Sequence, residues 1–123
     1  MDSTKTLREQ RQEKRSQEIL SAALKLFAEK GYQGASMEEI AETALLTRAA
    51  LYKYFSDKPA LLKALRLWKM GTLAKRIKLK TDAAPDFNAK VRSIIEQTLA
   101  FQDENPGFFR ILFTAGTLPE LSE

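Results

Sequence analysis

The strongest constraint on the fold lies in the stretch from Ser36 to Pro59, where signals that start and end helices follow one another closely. Ser36 and Glu39 have the S-x-x-E spacing of a capping box, which predicts the start of a short helix. Thr47 is a good N-cap for another, over residues 48–55. Helices of about two turns are marginal alone. Packed against a longer helix, the pair predicts a helix-turn-helix, and an ordinary three-helix bundle fits the pattern equally well.

Longer helices are predicted on both sides of this pair. Residues 16–30 carry a one-sided apolar stripe, and Gly31 ends that helix. A fourth helix opens at Pro59, a fifth covers residues 87–102, and Asn105-Pro106 caps and starts a sixth. One side of the fifth helix carries Val91, Ile94, Ile95, Thr98 and Leu99. The pattern predicts an all-α protein.

Composition excludes several classes of protein. With 123 residues and 44% hydrophobic content, the chain has material for one modest core. It has no cysteine and no histidine, which argues against disulfides, Cys/His zinc sites and histidine-dependent triads, so no enzyme activity, metal or cofactor is expected. The polar N-terminus predicts no signal peptide, and no apolar stretch is long enough to span a membrane, so a cytoplasmic location is expected. The net charge of +4 favours a polyanionic partner.

The predicted third helix combines aromatic rings with cations. Tyr52 and Tyr54 alternate with Lys53, and Arg48 stands at the start of the helix. Lys58 stands at the start of the next one. Cations at helix N-termini oppose the helix dipole, but together with the unpaired N–H groups they form anion sites. Tyrosine hydroxyls add donors for phosphate. The pattern indicates a surface suited to a phosphate backbone.

A longer pattern then becomes specific. The segment ILSAALKLFAEKGYQGASMEEIAETALLTRAALYKYFSDKPALL resembles the DNA-binding domain of the tetracycline-repressor (TetR) family of regulators. The resemblance covers residues 13–73, and beyond them it is only generic. It implies a three-helix helix-turn-helix DNA-binding head (residues 13–73). A long connecting helix then leads into an incomplete helical ligand and dimerisation domain (residues 74–123).

The resemblance also implies which residues contact DNA. In the family, the third helix enters the major groove, and a dimer places two such helices on adjacent turns of the duplex. The positions that resemble phosphate contacts are Ser36, Thr47, Tyr52 and Lys58. The positions that resemble contacts to bases or to the groove wall are Arg48, Ala49, Ala50, Lys53 and Tyr54.

Three positions depart from the family pattern. Leu45 stands in the turn where the family usually has glycine; if this position needs a positive φ, leucine there costs roughly 1 kcal/mol or more, and otherwise Leu45 packs in the core. Ala49 replaces a common glycine, and its methyl group leaves less room between the helix backbone and DNA. Ala50 replaces a residue such as threonine, which removes a possible hydrogen bond to a base.

Charged residues outside the helix pair have two interpretations each. A basic segment is predicted to precede the first helix, and it either follows the phosphates or the minor groove or forms a solvated helical extension. Its cations are Lys5, Arg8, Arg11, Lys14 and Arg15. Three acidic residues at the second helix are interpreted as solvent-exposed and matched to the helix dipole, not as acid–base catalysts. They are Glu38, Glu39 and Glu42.

The predicted function is a sequence-specific regulator of transcription that binds double-stranded operator DNA, in the form of a ligand-responsive repressor. The expected partners are the operator, a second copy in a homodimer of the complete protein, and a small-molecule effector. Apolar residues between Phe101 and Leu118 exceed what two helices cover, which predicts self-association there. The alternatives are a small helical ligand-binding protein with a vestigial head, and an interaction module that traps longer regulators. Salt-dependent DNA binding separates these functions.

Overall fold

The computed structural model describes residues 6–114, and within that range it contains six helices and no strand, which confirms the all-α prediction. They are α1 (Leu7–Lys30), α2 (Met37–Thr43), α3 (Arg48–Tyr54), α4 (Lys58–Ala83), α5 (Phe87–Glu104) and α6 (Phe108–Thr114). The chain divides into two compact units, residues 1–62 and residues 63–123. None of these six helices combines the length and the apolar character that a membrane span requires.

The first helix begins earlier than the apolar stripe predicts. Thr6 and Glu9 form a capping box, in which the Thr6 hydroxyl accepts from the Glu9 N–H at 3.1 Å and the Glu9 carboxylate accepts from the Thr6 N–H at 2.9 Å. This cap starts α1 at Leu7, and the helix continues because neither proline nor glycine follows in the next turns. The basic residues from Arg8 onward therefore belong to α1, which agrees with the helical extension, one of the two interpretations of this segment. Lys5 lies outside the described residues.

The first unit is built around a fully buried aromatic ring. Phe27 of α1 is inaccessible to solvent, and its ring lies 5.3 Å from that of Tyr32 in the loop that follows. The short helix α2 contributes Ile40, and α3 contributes Leu51, both of them also fully buried. These buried side chains tie α2 and α3 to the rest of the first unit, as expected of helices that lack the length to be stable alone.

Gly34, in the loop between α1 and α2, has no room for a side chain. A Cβ atom there would stand 2.3 Å from the backbone carbonyl oxygen of Lys30, closer than any real contact of this kind. The loop would have to move to relieve this steric clash.

We therefore expect Gly34→Ala to lower the free energy of unfolding by roughly 1–3 kcal/mol, the usual cost of overpacking. Gly71, inside α4, provides the matched control, because no atom lies within 4 Å of its virtual Cβ. Alanine there favours the helix and is expected to add about 0.5–1 kcal/mol. Urea denaturation measures both, and a neutral Gly34→Ala would contradict the loop geometry.

In the second unit, a cluster of three phenylalanine rings joins α5 to α6. The rings of Phe101, Phe108 and Phe109 lie 5.7 to 5.8 Å apart with edge-to-face geometry. Phe101, Phe108, Ile111 and Leu112 are buried and Phe109 is half-buried, so the predicted surplus of uncovered apolar surface is wrong for most of the described apolar residues of this segment. Phe113 remains 68% exposed, and residues 115–118 lie outside the described part.

The connection between these two helices also differs from the prediction. Asn105 is buried, and both its backbone N–H and its side-chain amide donate to the carbonyl of Phe101, at 2.9 and 3.0 Å. It therefore caps the end of α5 and does not open α6. Gly107, with φ of 83°, makes the turn, and α6 begins at Phe108.

The apolar side of α5 is largely exposed. Four of the five residues on it, Val91, Ile94, Ile95 and Leu99, are exposed. Polar contacts join another side of α5 to α4: the Lys90 ammonium donates to the carbonyl of Thr81 at 2.6 Å, and Glu104 pairs with Arg76 at 2.5 Å. Positions 90 and 104 lie on the same side of the helix as the buried Phe101, so this is the side of α5 that packs.

Candidate nucleic-acid interface

Helix α3 exposes almost all of its side chains. Of its seven residues, only Leu51 is buried, and that single side chain anchors the helix to the core. The side chains that face solvent fully or in part are Arg48, Ala49, Ala50, Tyr52, Lys53 and Tyr54. No acidic residue occurs on α3. The helix therefore presents a basic and aromatic surface with two small residues in its first turn.

The start of α3 has an N-cap residue and an arginine whose ion pair is exposed to solvent. The Thr47 hydroxyl oxygen accepts from the N–H of Ala50 at 3.1 Å, which confirms Thr47 as the N-cap and leaves its O–H as a donor. The Arg48 guanidinium pairs with Glu38 of α2 at 3.0 Å and lies over the Tyr52 ring at 5.5 Å. Both partners of the ion pair are more than half exposed. Such pairs contribute about 0–1 kcal/mol, so a phosphate or a base can replace Glu38.

Ser36, the predicted phosphate contact of α2, is already used by the helix itself. Its hydroxyl accepts from the Glu39 N–H at 3.1 Å and donates to the Glu39 carboxylate at 3.3 Å. The same carboxylate accepts from the Ser36 N–H at 3.0 Å and bonds the Lys30 ammonium. The bond to Lys30, and next the N–H of Ser36, lower the pKa of Glu39. A Ser36 contact with phosphate requires its hydroxyl to turn away from Glu39, whose own role is capping.

Lys58 is the residue whose contacts sequence reasoning missed. Its ammonium donates to the backbone carbonyls of Tyr32 at 2.7 Å and Ala35 at 2.9 Å, and it lies 4.6 Å from the centre of the Tyr32 ring. These contacts join the start of α4 to the loop between α1 and α2. One of the three ammonium N–H groups remains for a phosphate. The signal was present, because a cation where the helix dipole disfavours it needs nearby acceptors.

We expect Lys58→Met to lower the free energy of unfolding by roughly 1–3 kcal/mol. The substitution keeps most of the aliphatic stem but leaves two carbonyls without their charged donor. Lys53→Met is the control, because Lys53 is exposed on α3 and its loss is expected to change stability by no more than about 0.5 kcal/mol. Thermal denaturation of the two variants tests this, and equal melting temperatures would contradict a structural role for Lys58.

The turn between α2 and α3 contains a residue in the left-handed conformation. Leu45 has φ of 59° and is 87% exposed. Its N–H donates to the carbonyl of Glu42 at 3.1 Å. The N–H of Leu46 donates to the carbonyl of Ala41 at 2.8 Å. This pair of bonds is the Schellman ending of a helix, in which glycine usually takes the left-handed position. Of the two alternatives for Leu45, the structure therefore supports the positive φ and not packing in the core.

Known proteins match this region of the chain. Residues 19–65 match the family described as bacterial regulatory proteins, tetR family. The Transposon Tn10 TetC protein of Escherichia coli is 36% identical over 72% of the chain, and the uncharacterised HTH-type transcriptional regulator YuxN of Bacillus subtilis is 32% identical over 85%. The chain covers only 45% and 36% of these two relatives, which is less than half of each.

Solved structures share the fold over most of the chain. The fatty acid degradation regulator FadR from Bacillus halodurans superposes with a TM-score of 0.74 and 26% identity, covering 87% of this chain and 56% of that one. A TetR-family regulator from Haemophilus influenzae has a TM-score of 0.76 at 20% identity, which supports the fold alone; it covers 93% of this chain and 64% of that one. The family match over the helix-turn-helix, these relatives and the shared helical fold agree, and the chain belongs to the tetR family of bacterial regulatory proteins.

Proposed function

We propose that this chain is the DNA-binding part of a transcriptional regulator and that α3 enters the major groove of an operator. The observation that carries the proposal is the surface of α3, where one buried leucine holds a helix whose other side chains are basic, aromatic or small. A helix of this kind fits the major groove and satisfies the phosphates beside it. We propose residues 13–73 as the DNA-binding domain and residues 74–123 as part of a regulatory domain.

The roles of the exposed residues follow from their positions. Arg48 and Lys53 supply the charges of α3, and with Ala49, Ala50 and Tyr54 they face bases or the groove wall. The hydroxyls of Thr47 and Tyr52 are donors for phosphate, and Ser36 and Lys58 add contacts once an internal partner is exchanged or shared. Base-edge contacts by arginine provide sequence discrimination, whereas the phosphate contacts fix the orientation.

We propose operator occlusion as the mode of regulation, with the complete protein acting as a homodimer in the cytoplasm, where its DNA lies. Two linked heads bind far more tightly than one because the second contact is made at high effective concentration. A small-molecule effector would relieve repression if it favours a conformation that binds operator less well. Membership of a family of regulatory proteins supports this role over enzymatic activity.

A salt-titrated binding assay tests the proposed function. The probes are duplex DNA from around the gene of this protein and a random duplex of equal length. We expect affinity to fall linearly with salt on a log–log scale, and Lys53→Ala to reduce the magnitude of the slope by about one unit if Lys53 also neutralises a phosphate. A chain that binds neither duplex in a salt-dependent way would overturn the proposal. That result would favour the small ligand-binding protein, or, if the chain binds a longer regulator, the interaction module that traps such regulators.

A further inference from the structure

The end of α2 leaves two backbone carbonyls unused. Its Schellman bonds employ the carbonyls of residues inside the helix, whereas no backbone N–H of the described residues donates to the carbonyl of Ala44 or of Leu45. Ala44 is buried, at 7% exposed, whereas Leu45 is open to solvent. The carbonyl of Ala44 therefore gains the most from a donor elsewhere in the chain.

Arg15 of α1 provides that donor. One terminal nitrogen of its guanidinium lies 3.0 Å from the carbonyl oxygen of Ala44 and 3.4 Å from that of Leu45. The other terminal nitrogen bonds the carboxylate of Glu18, one turn further along α1, at 2.8 Å. Glu18 thus orients the guanidinium, and the planar fork of arginine serves both contacts at once.

The turn that receives these bonds sets the direction of α3. Leu45 holds a left-handed conformation that a leucine side chain disfavours, and such a conformation persists only where surrounding contacts maintain it. Three residues, Ala44, Leu45 and Leu46, separate the last residue of α2 from the N-cap of α3. A change of backbone angle at Leu45 therefore rotates the whole of α3 relative to α2.

We propose that Arg15 is a positioning residue of the helix-turn-helix, which fixes the α2–α3 turn and so aims α3 at the bases. This proposal rests on the proposed DNA-binding function. It assigns Arg15 a role distinct from the phosphate contact that is one interpretation of the basic segment. The two roles differ in their consequences, because a lost phosphate contact weakens binding to every sequence, whereas a misaimed helix loses sequence discrimination.

The binding test uses the full chain, the tightest duplex selected by the wild-type protein from a random library, and a random duplex of equal length. We expect Arg15→Ala to weaken binding to the selected duplex by about tenfold, a typical effect of losing hydrogen bonds to a charged group. Binding to the random duplex and the salt slope stay unchanged. Equal losses on both duplexes, with a slope reduced by about one unit, would show a phosphate contact and overturn the proposal.

Amide hydrogen exchange without DNA provides a readout that does not depend on the proposed function. The N–H groups of Leu45 and Leu46 form the bonds of the turn, so in Arg15→Ala we expect them to exchange about tenfold faster. Arg11→Ala is the matched control, because it removes the same charge from an exposed position of α1 one turn away, and it should leave both amides unchanged. Equal exchange in Arg15→Ala and wild type would overturn the positioning role even if DNA binding fails for another reason.

Discussion

Ala49→Glu is expected to reduce affinity for duplex DNA by about a hundredfold or more while the protein stays folded. Ala49 is exposed in the first turn of α3, so a carboxylate there meets the phosphates and the acceptor-rich groove that we propose α3 to approach. Like charges forced together at an interface cost several kcal/mol. In the free protein the same carboxylate stabilises α3 by about 0.3–1 kcal/mol, because it lies at the positive end of the helix dipole. Affinity and melting temperature should therefore move in opposite directions.

Gln102→Glu on α5 is the control for this substitution. It makes the same change of net charge at an exposed helix position of the second unit. A difference of net charge alone would weaken binding equally in both variants, whereas the proposed interface predicts a far larger loss for Ala49→Glu. Binding isotherms at one salt concentration, with circular dichroism melting curves, make the comparison. An Ala49→Glu protein that binds like Gln102→Glu would place the interface elsewhere.

Leu51→Ala is expected to lower the free energy of unfolding by roughly 2–5 kcal/mol, the range for removing a buried leucine side chain. Leu51 is fully buried and is the only buried residue of α3, so no other side chain of that helix compensates for its loss. A total stability of about 5–15 kcal/mol makes this a large fraction. DNA affinity should fall as well, because a two-turn helix without its anchor is marginal.

The exposed Leu67 of α4 allows the same chemical change without the loss of packing. It is 67% exposed, so Leu67→Ala should alter stability by no more than about 0.5 kcal/mol. Urea denaturation curves measure the midpoint and the slope for each variant, and an unchanged slope ties the shift to stability itself. Similar midpoints for the two variants would contradict the anchoring role of Leu51.

Local sequence signals predicted the starts of the two short helices well. The capping box at Ser36 and the N-cap at Thr47 were predicted because each depends on residues within a few positions of one another. Bonds over such short separations form whenever the helix forms, so residue type and spacing suffice to predict them. The choice of a helix-turn-helix and the special turn position at Leu45 came instead from the resemblance to the family.

Contacts between distant residues were not predictable in this way. The Lys58 bonds to the loop and the Arg15 bonds to the turn join residues more than twenty positions apart. The place of Lys58 at a helix start indicates that it needs acceptors, but no local spacing identifies which carbonyls accept these bonds. The orientation of α5 was not predictable for the same reason. Its apolar stripe is visible in the sequence, but the side that packs makes its contacts with residues of other helices, by Phe101 with α6 and by Lys90 and Glu104 with α4.

The most direct test of the central claim is an NMR titration of the labelled protein with duplex DNA from around its gene. If α3 enters the groove, the amide resonances that shift most belong to residues 47–54, with smaller shifts at the start of α2, and raising the salt concentration reverses them. Shifts concentrated in residues 87–104, or no salt-dependent shifts at all, would contradict the account.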